Sequence, residues 1–281
     1  MSTALNLRDA LTQAQQKGLD RLDAQMLLLL ALGRDMNHRA WLLAHDTDPM
    51  PADAVARYAE RVRRRLAGEP VAYLAGAKAF YGLNLQVDPR VLVPRPDTET
   101  LVHWVLDVLA PPPALPRFLD LGTGSGAIAL AVKSQRPDVA VSATDASADA
   151  LAVACANAER LGLAVDFHAG SWLRAVPGQR FDVIASNPPY IAEGDPHLAA
   201  LGHEPLSALT SGSDGLDDIR TLIASAPTSL APGGWLLLEH GHDQAAAVRA
   251  LLVQQGFGQV ASRCDLAGIE RCSGGIWPQQ R

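Results

Sequence analysis

The chain has 281 residues, 48% hydrophobic and 19% charged, a composition that excludes a disordered or fibrous chain and suits one large domain with a smaller one. Its net charge of −6 is uneven, with +1 over residues 1–70 and −7 over the remainder. So acidic a larger part is a poor electrostatic match for a phosphate backbone, which argues against a nucleic-acid substrate.

The opening "MSTALNLRDALTQ" shows no basic-then-apolar leader, and "MLLLLAL" (Met26 to Leu32) is far shorter than the ~20 residues of a membrane span. A soluble cytoplasmic protein is expected. Residues 1–70 read as helices only. "LDRLDAQMLLLLALG" has a helical apolar face ending at Gly33, and "MNHRAWLLAH" is a second helix with Asn37 as its candidate N-cap. "PADAVARYAERVRRRLAG" has Pro51 suited to a first turn and Gly68 at its end. Its Arg57, Arg61, Arg64 and Arg65 share one helical side, either a solvated face balanced by Asp53 and Glu60 or a surface for a partner.

Residues 71–96, "VAYLAGAKAFYGLNLQVDPRVLVPRP", form a connector whose short alternating stretches predict a β-hairpin. From Asp97 a helix is followed by the Pro-rich loop "APPPALP" (Ala110 to Pro116) and then by strand–helix alternation. "RFLDLG", "VAVSATD", "VDFHAG", "FDVIASN" and "GWLLLEHG" are the strand candidates. "AIALAVKSQ", "SADALAVACANAERLG" and "DQAAAVRALLVQQG" are the helices between most of them. This pattern makes residues 97–281 an α/β domain with a parallel sheet covered on both faces. "GQVASRCD" and "ERCSGGIWP" lack a helix between them and predict an antiparallel edge hairpin. Cys155, Cys264 and Cys272 form no CxxC pair, so free, mostly buried thiols and no metal centre are expected.

Chemistry concentrates in two places. "DLGTGSG" stands where a strand meets a helix; Gly122, Gly124 and Gly126 permit a tight turn and let a ligand approach bare backbone. Asp120 lies at the strand end beneath them, and Asp145 closes the next strand, where a carboxylate can take two ribose hydroxyls. The spacing is GxGxG rather than the GxGxxG of dinucleotide enzymes, so the expectation is an adenosine-bearing cofactor. The second place is "SNPPY", Ser186 to Tyr190. Two prolines stop sheet pairing at once and leave Asn187 at a strand terminus. That reads as a stiff turn or as a pocket floor whose acceptors are held rigid.

"VLVPRPDTE", "DLGTGSGAIAL", "SNPPYI", "HEPLSAL" and "LLLEHG" together resemble the HemK-type peptide chain release factor glutamine methyltransferases, over almost the whole chain. The resemblance implies a Rossmann-like, mostly parallel seven-stranded class I methyltransferase sheet with a small helical N-terminal domain that recognises substrate. It implies S-adenosyl-L-methionine as cofactor, S-adenosyl-L-homocysteine as product, and methylation of the glutamine in the release factors' Gly-Gly-Gln loop, which modulates translation termination. Gly122, Thr123, Gly124, Ser125 and Gly126 would wrap the cofactor, with Asp145 on its ribose, Trp172 beside its adenine and Asn187 near its methyl. The family commonly has an acidic residue before that tryptophan, where Ser171 stands here.

Asn187 and the Pro188 carbonyl would accept the two N–H groups of the substrate amide, with Pro189 stiffening the turn and Tyr190 packing on the amide plane. Arg95, Thr98 and Glu99 would line the substrate side, Glu99 alternatively serving as a helix-start residue. Phe80 and Tyr81 either cover the pocket or fill core, and Glu204 is a candidate to orient Asn187. A monomer without membrane or nucleic-acid partners is expected. Two enzyme alternatives remain open at this point, a ribosomal-protein glutamine methyltransferase and a nucleic-acid adenine or guanine methyltransferase acting on a flipped base. A non-catalytic nucleotide-binding module would leave "SNPPY" unexplained.

Overall fold

A computed structural model describes residues 5–111 and 115–278, so the centre of the Pro-rich loop, 112–114, lies outside the described residues. The chain divides into two compact units, Met1–Gly76 and Ala77–Arg281. No helix among the described residues is long and apolar enough to cross a membrane.

The first unit consists of α1 (Leu7–Gln16), α2 (Arg21–Ala31), α3 (Arg39–Ala44), α4 (Ala52–Leu66) and α5 (Val71–Ala75). Asn6 caps α1 by accepting the Asp9 N–H at 2.8 Å, and Asp20 caps α2 by accepting the Leu22 N–H at 2.7 Å. The apolar run of α2 is the heart of this unit: Leu27, Leu28 and Leu29 are fully buried, packed with Leu7 and Ala10 of α1 and Tyr58 and Val62 of α4. Asn37 is not a helix cap. The Asp35 side chain accepts its N–H at 2.9 Å in a turn, and α3 begins only after His38.

The arginine stripe on α4 is largely spent inside the unit. Arg57 donates to the Ala31 carbonyl at 2.8 and 3.0 Å and to Asp53, Arg65 to Asp23 at 2.7 Å, and Arg64 to Glu69 at 2.5 Å. Glu60 pairs with Arg63, outside the stripe. Three of the four arginines therefore tie α4 to neighbouring segments rather than forming a purely solvated or free face.

The second unit begins with the hairpin β1 (Ala77–Phe80) and β2 (Leu83–Gln86), closed by Tyr81 and Gly82 with φ of +48° and +75°. The Glu99 carboxylate accepts the Tyr81 N–H at 3.0 Å and the Tyr81 hydroxyl meets His103 Nδ1 at 3.1 Å, which holds this unusual backbone. A 3₁₀ turn (Pro96–Thr98) leads into α6 (Glu99–Val108), followed by β3 (Arg117–Leu121), α7 (Ala127–Gln135), β4 (Ala140–Asp145), α8 (Ala148–Leu161) and β5 (Asp166–Ala169). Then come β6 (Phe181–Ser186), α9 (Asp217–Ser225), β7 (Leu230–Glu239), α10 (Ala245–Gln255), β8 (Gly258–Cys264) and β9 (Glu270–Ile276).

The large sheet runs β5-β4-β3-β6-β7-β9-β8, parallel except for β9, which is antiparallel to both neighbours. Of the two terminal strands only β8 is an edge, so the expected terminal hairpin enters the sheet through β9 rather than lying wholly on its rim. One apolar layer packs α6 and α7 on Val183, Ala185 and Leu237, and the other packs α9 and α10 on Ile184, Leu236 and Leu238. The thiols depart from expectation: Cys155 and Cys264 are exposed and only Cys272 is buried.

From β3 the chain winds toward β4 and β5, then crosses to β6 and winds the other way, so a crevice opens at the carboxyl ends of β3 and β6. Gly126 fixes one wall of it. Its φ is +85°, and a Cβ there would stand 2.9 Å from Leu130 Cδ1. Gly126→Ala is expected to lower the unfolding free energy by ~1–2 kcal/mol from the left-handed backbone alone, with crowding of Leu130 adding to it. Urea denaturation followed by circular dichroism measures this; an unchanged midpoint would contradict it.

Candidate active site

The loop after β3 is fixed by the end of β4. Gly122 and Thr123 both donate N–H to the Thr144 carbonyl at 2.9 Å. Asp145 accepts the Gly124 N–H and the Ser147 N–H, each at 2.9 Å. A Cβ on Gly122 would stand 3.0 Å from the Trp172 ring, so glycine lets that indole lie directly on the loop. Gly122, Gly124, Asp145, Trp172, Asn187 and Pro189 together line one cavity of about 310 Å³, and Ser171 also reaches it.

This cavity suits an adenosine-bearing group. The face of Gly124 is open, the indole offers a flat apolar wall, and Asp145 still has lone pairs beyond its two backbone bonds. Thr123, Ser125 and Gly126 are not among the residues lining the cavity; they support the loop from beneath. The Thr123 hydroxyl donates to Asp120 at 2.6 Å, the Ser125 carbonyl accepts from Asn157 at 3.0 Å, and Gly126 opens α7. Asp120 is fully buried, also accepts the Ala129 N–H at 3.1 Å, and has one oxygen, Oδ1, without a partner. Burial pushes its carboxyl up to about 7, against the pull of Thr123 and Ala129.

A second cavity of about 300 Å³ is lined by Arg95, Tyr190, Ile191 and Leu201, among others. Asn187 borders both cavities and so stands at their junction. Its Nδ2 donates to Thr98 Oγ1 at 3.3 Å. Thr98 is buried at the end of the 3₁₀ turn before α6. Pro188 is not among the residues lining either cavity and continues the turn between Asn187 and Pro189. The Tyr190 ring packs against the α9–α10 layer, its carbonyl accepts from Gln244 at 3.0 Å, and burial raises its phenol above the usual range.

Four expected site residues are engaged elsewhere. Glu204 is not bonded to Asn187; its buried carboxylate accepts the Val93 N–H at 3.0 Å and pairs with Arg95. That pair anchors the arginine beside the second cavity, and Thr98 takes the position beside Asn187. Glu99 lines neither cavity and serves the hairpin turn. Phe80 is core, and Tyr81 is held against His103.

Sequence reasoning assigned no role to Glu239, although it lies within "LLLEHG". It ends β7 and is 2% exposed. Burial raises its carboxyl to about 7, while the nearby Thr98 and Tyr190 hydroxyls and the charge of Arg271 pull the other way, and its Oε2 is buried without a hydrogen-bond partner. A lone acid closing an otherwise apolar strand was the available signal.

Comparison with known proteins agrees with this architecture. Residues 6–76 match the PrmC N-terminal domain family and residues 102–206 the methyltransferase small domain family. A release factor glutamine methyltransferase of Bordetella pertussis is 54% identical over 265 residues, covering 92% of this chain and 95% of that protein. The protein of the same name from Burkholderia pseudomallei is 51% identical, covering 92% and 93%. A methyltransferase of known structure from Pyrococcus furiosus has the same fold at a TM-score of 0.54 and 22% identity, over 79% of this chain and all of that one.

The raised carboxyl of Asp120 has a consequence for stability. Its folded-state value, about 7, lies above the ordinary 3.8, so the folded chain takes up a proton between those values that the unfolded chain does not. Stability from this group is fully present below the unfolded value and is lost as pH rises through the folded one. Asp120→Asn is expected to flatten the fall in unfolding free energy between about pH 4 and about pH 7. Denaturant titrations across that window test it, and parallel curves for both proteins would refute it.

Proposed function

The chain belongs to the release factor glutamine methyltransferase family, and we propose that it methylates the side-chain amide nitrogen of the glutamine in a release factor's Gly-Gly-Gln loop, using S-adenosyl-L-methionine. The observation that carries this reading is Asn187 at the junction of the two cavities. Asp145 would hold the ribose hydroxyls, Trp172 the adenine, and the backbone of Gly122 and Gly124 the remainder of the cofactor. The bound sulfonium supplies an electrophilic methyl and a neutral thioether leaving group.

The task of the protein is set by the nucleophile. A carboxamide nitrogen is poor because its lone pair is delocalised into the carbonyl, the same resonance that resists twisting in a peptide bond by ~18–20 kcal/mol. Two acceptors for its two N–H groups would hold it with the lone pair directed at the methyl. Asn187 Nδ2 is committed to Thr98, which leaves Oδ1 as one acceptor; the Pro188 carbonyl is the other. Once alkylated the nitrogen is acidic, and its proton passes to water without a strong base. Catalysis is then mostly positioning, for which ~7–11 kcal/mol is available in favourable cases.

The second cavity, with Arg95 held by Glu204, would admit the substrate loop. Among the described residues the N-terminal unit supplies none to the lining of the first cavity, and it would serve recognition of the factor's body. With three of the four stripe arginines spent on internal bonds, that recognition would draw mainly on other residues of the unit.

Mass spectrometry of an intact release factor incubated with enzyme and cofactor tests the reading. One methyl group on the loop glutamine is expected, and none on a glutamine-to-glutamate variant, which offers no N–H to the acceptors. Methylation of DNA adenine or of a ribosomal-protein glutamine in its place would overturn the substrate assignment. Asn187→Ala is expected to lower kcat on the order of 10²-fold, with cofactor affinity by calorimetry within a few-fold. Asp145→Ala is expected instead to weaken cofactor binding by ~1.5–3 kcal/mol.

A further inference from the structure

We propose that Asp218, in the first turn of α9, accepts the exocyclic amino group of the cofactor's adenine and so selects a 6-aminopurine. This rests on the cofactor reading given above and adds to it a residue from a separate element. Among the described residues, two carboxylates line the first cavity, Asp145 and Asp218. Asp145 ends β4, holds Gly124 and Ser147, and would take the ribose. No acid precedes Trp172 in the chain, where Ser171 stands, and the Ser171 carbonyl is spent on the Arg174 N–H at 3.1 Å. A charged acceptor for the base must therefore come from elsewhere, and α9 brings one.

Trp172 fixes where the base would lie. Its φ is +52°, a left-handed backbone that is uncommon for so bulky a residue. That conformation lays the indole on Gly122, where a Cβ would stand 3.0 Å from the ring. The indole packs against the apolar layer that includes Leu216 and Ile219, on either side of Asp218 in the chain. The turn Trp172–Ala175 and helix α9 are direct neighbours. The flat wall for a base and the Asp218 carboxylate are thus adjoining parts of one lining.

Asp218 is also pinned. Ser211 is buried; its hydroxyl donates to Asp218 Oδ2 at 2.7 Å and accepts the Asp218 N–H at 2.8 Å. Oδ1 has no hydrogen bond to any described residue. Adenine's amino group offers N–H donors that match such an oxygen, whereas purine N1 is itself an acceptor and gains nothing from it. An acid in the first turn also suits the α9 dipole. Asp217 beside it already supplies that charge, and a dipolar role does not require a pinned side chain. The pinning dictates what a substitution does. The one hydrogen of Ser211 needs an acceptor, so in Asp218→Asn the carbonyl oxygen takes the place of Oδ2 and the NH2 that of Oδ1. The variant then presents donors where the wild type presents an acceptor.

The test is calorimetric binding, to the full chain, of S-adenosyl-L-homocysteine and of its 6-deamino purine analogue, which lacks only the amino group. Wild type is expected to bind the adenosyl compound about tenfold or more tightly than the analogue. Asp218→Ala is expected to bring the two within about threefold, with affinity for the analogue unchanged within about twofold. Asp218→Asn is expected to narrow the ratio at least as far, or to reverse it. Asp145→Ala is expected to weaken both compounds by the same factor and keep the wild-type ratio. A wild type that does not distinguish the compounds, or a ratio that persists in either Asp218 variant, overturns the proposal. Equal weakening of both compounds by Asp218→Ala marks a structural role and overturns it too. If Asp218→Ala does not fold, by circular dichroism, the near-isosteric asparagine variant decides alone. Wild type that binds neither compound refutes the cofactor reading itself; binding of both with a ratio independent of Asp218 refutes only this assignment.

Discussion

Because β3, β6 and β7 are parallel and paired without slippage at their carboxyl ends, Leu121 lies beside Ser186 and Ser186 beside Leu238. The residue that follows each is Gly122, Asn187 and Glu239, so bare backbone, an amide and a carboxylate stand in one row at the ~4.8 Å spacing of neighbouring strands. A slip of one residue would turn each side chain to the opposite face. Ser186 guards against that slip, its hydroxyl donating to the Leu121 carbonyl at 2.7 Å across the two strands that matter most. The irregularity that β6 and β7 do contain lies near Phe181 and Val183, well before the row.

Around this row the fold places charge where a buried sheet would ordinarily exclude it. Asp120 and Glu239 are both fully or nearly fully buried carboxyls near the ends of central strands, and burial raises both toward neutrality. An isolated buried carboxylate is costly: Asp120 accepts from Thr123 and Ala129 on Oδ2, and each acid keeps one buried oxygen without a partner, Oδ1 of Asp120 and Oε2 of Glu239. The two acids differ in setting. Asp120 braces the glycine loop from beneath, whereas Glu239 ends the strand that runs beside the one leading into Asn187. Asp145, open to solvent through the first cavity, braces the same loop from its outer side.

Much of this was legible in the sequence because it depends on local order. Strand–helix alternation, the glycine spacing, Asp145 and the proline pair are features of contiguous residues, and contiguous residues are what periodicity and turn chemistry report. What escaped depends on partners distant in the chain. Glu204 looked like a neighbour of Asn187 only because both lie in the loop region after β6. Its carboxylate is claimed from more than a hundred residues upstream by Val93 and Arg95. The arginine side of α4 looked available because Ala31 and Asp23, which take up Arg57 and Arg65, belong to another helix. Helix α9 was missed for a different reason: its buried face is only Ile219, Leu222 and Ile223, too short a stripe to stand out behind a run rich in Gly, Ser and Asp.

The prolines of "SNPPY" acquire their full sense only in this setting. A strand that continued past Ser186 would turn the next backbone carbonyls toward β3 and β7 as ladder acceptors, and nothing would be left to face a ligand. Pro188 and Pro189 cannot donate and cannot extend the ladder. The chain leaves the sheet at the position where β7 also ends, and the Tyr190 carbonyl is then captured by Gln244 rather than by another strand. Rigidity at this corner therefore comes from removed donors on one side of Asn187 and from Thr98 on the other. An amide held from both sides has little freedom left except the flip of its own oxygen and nitrogen.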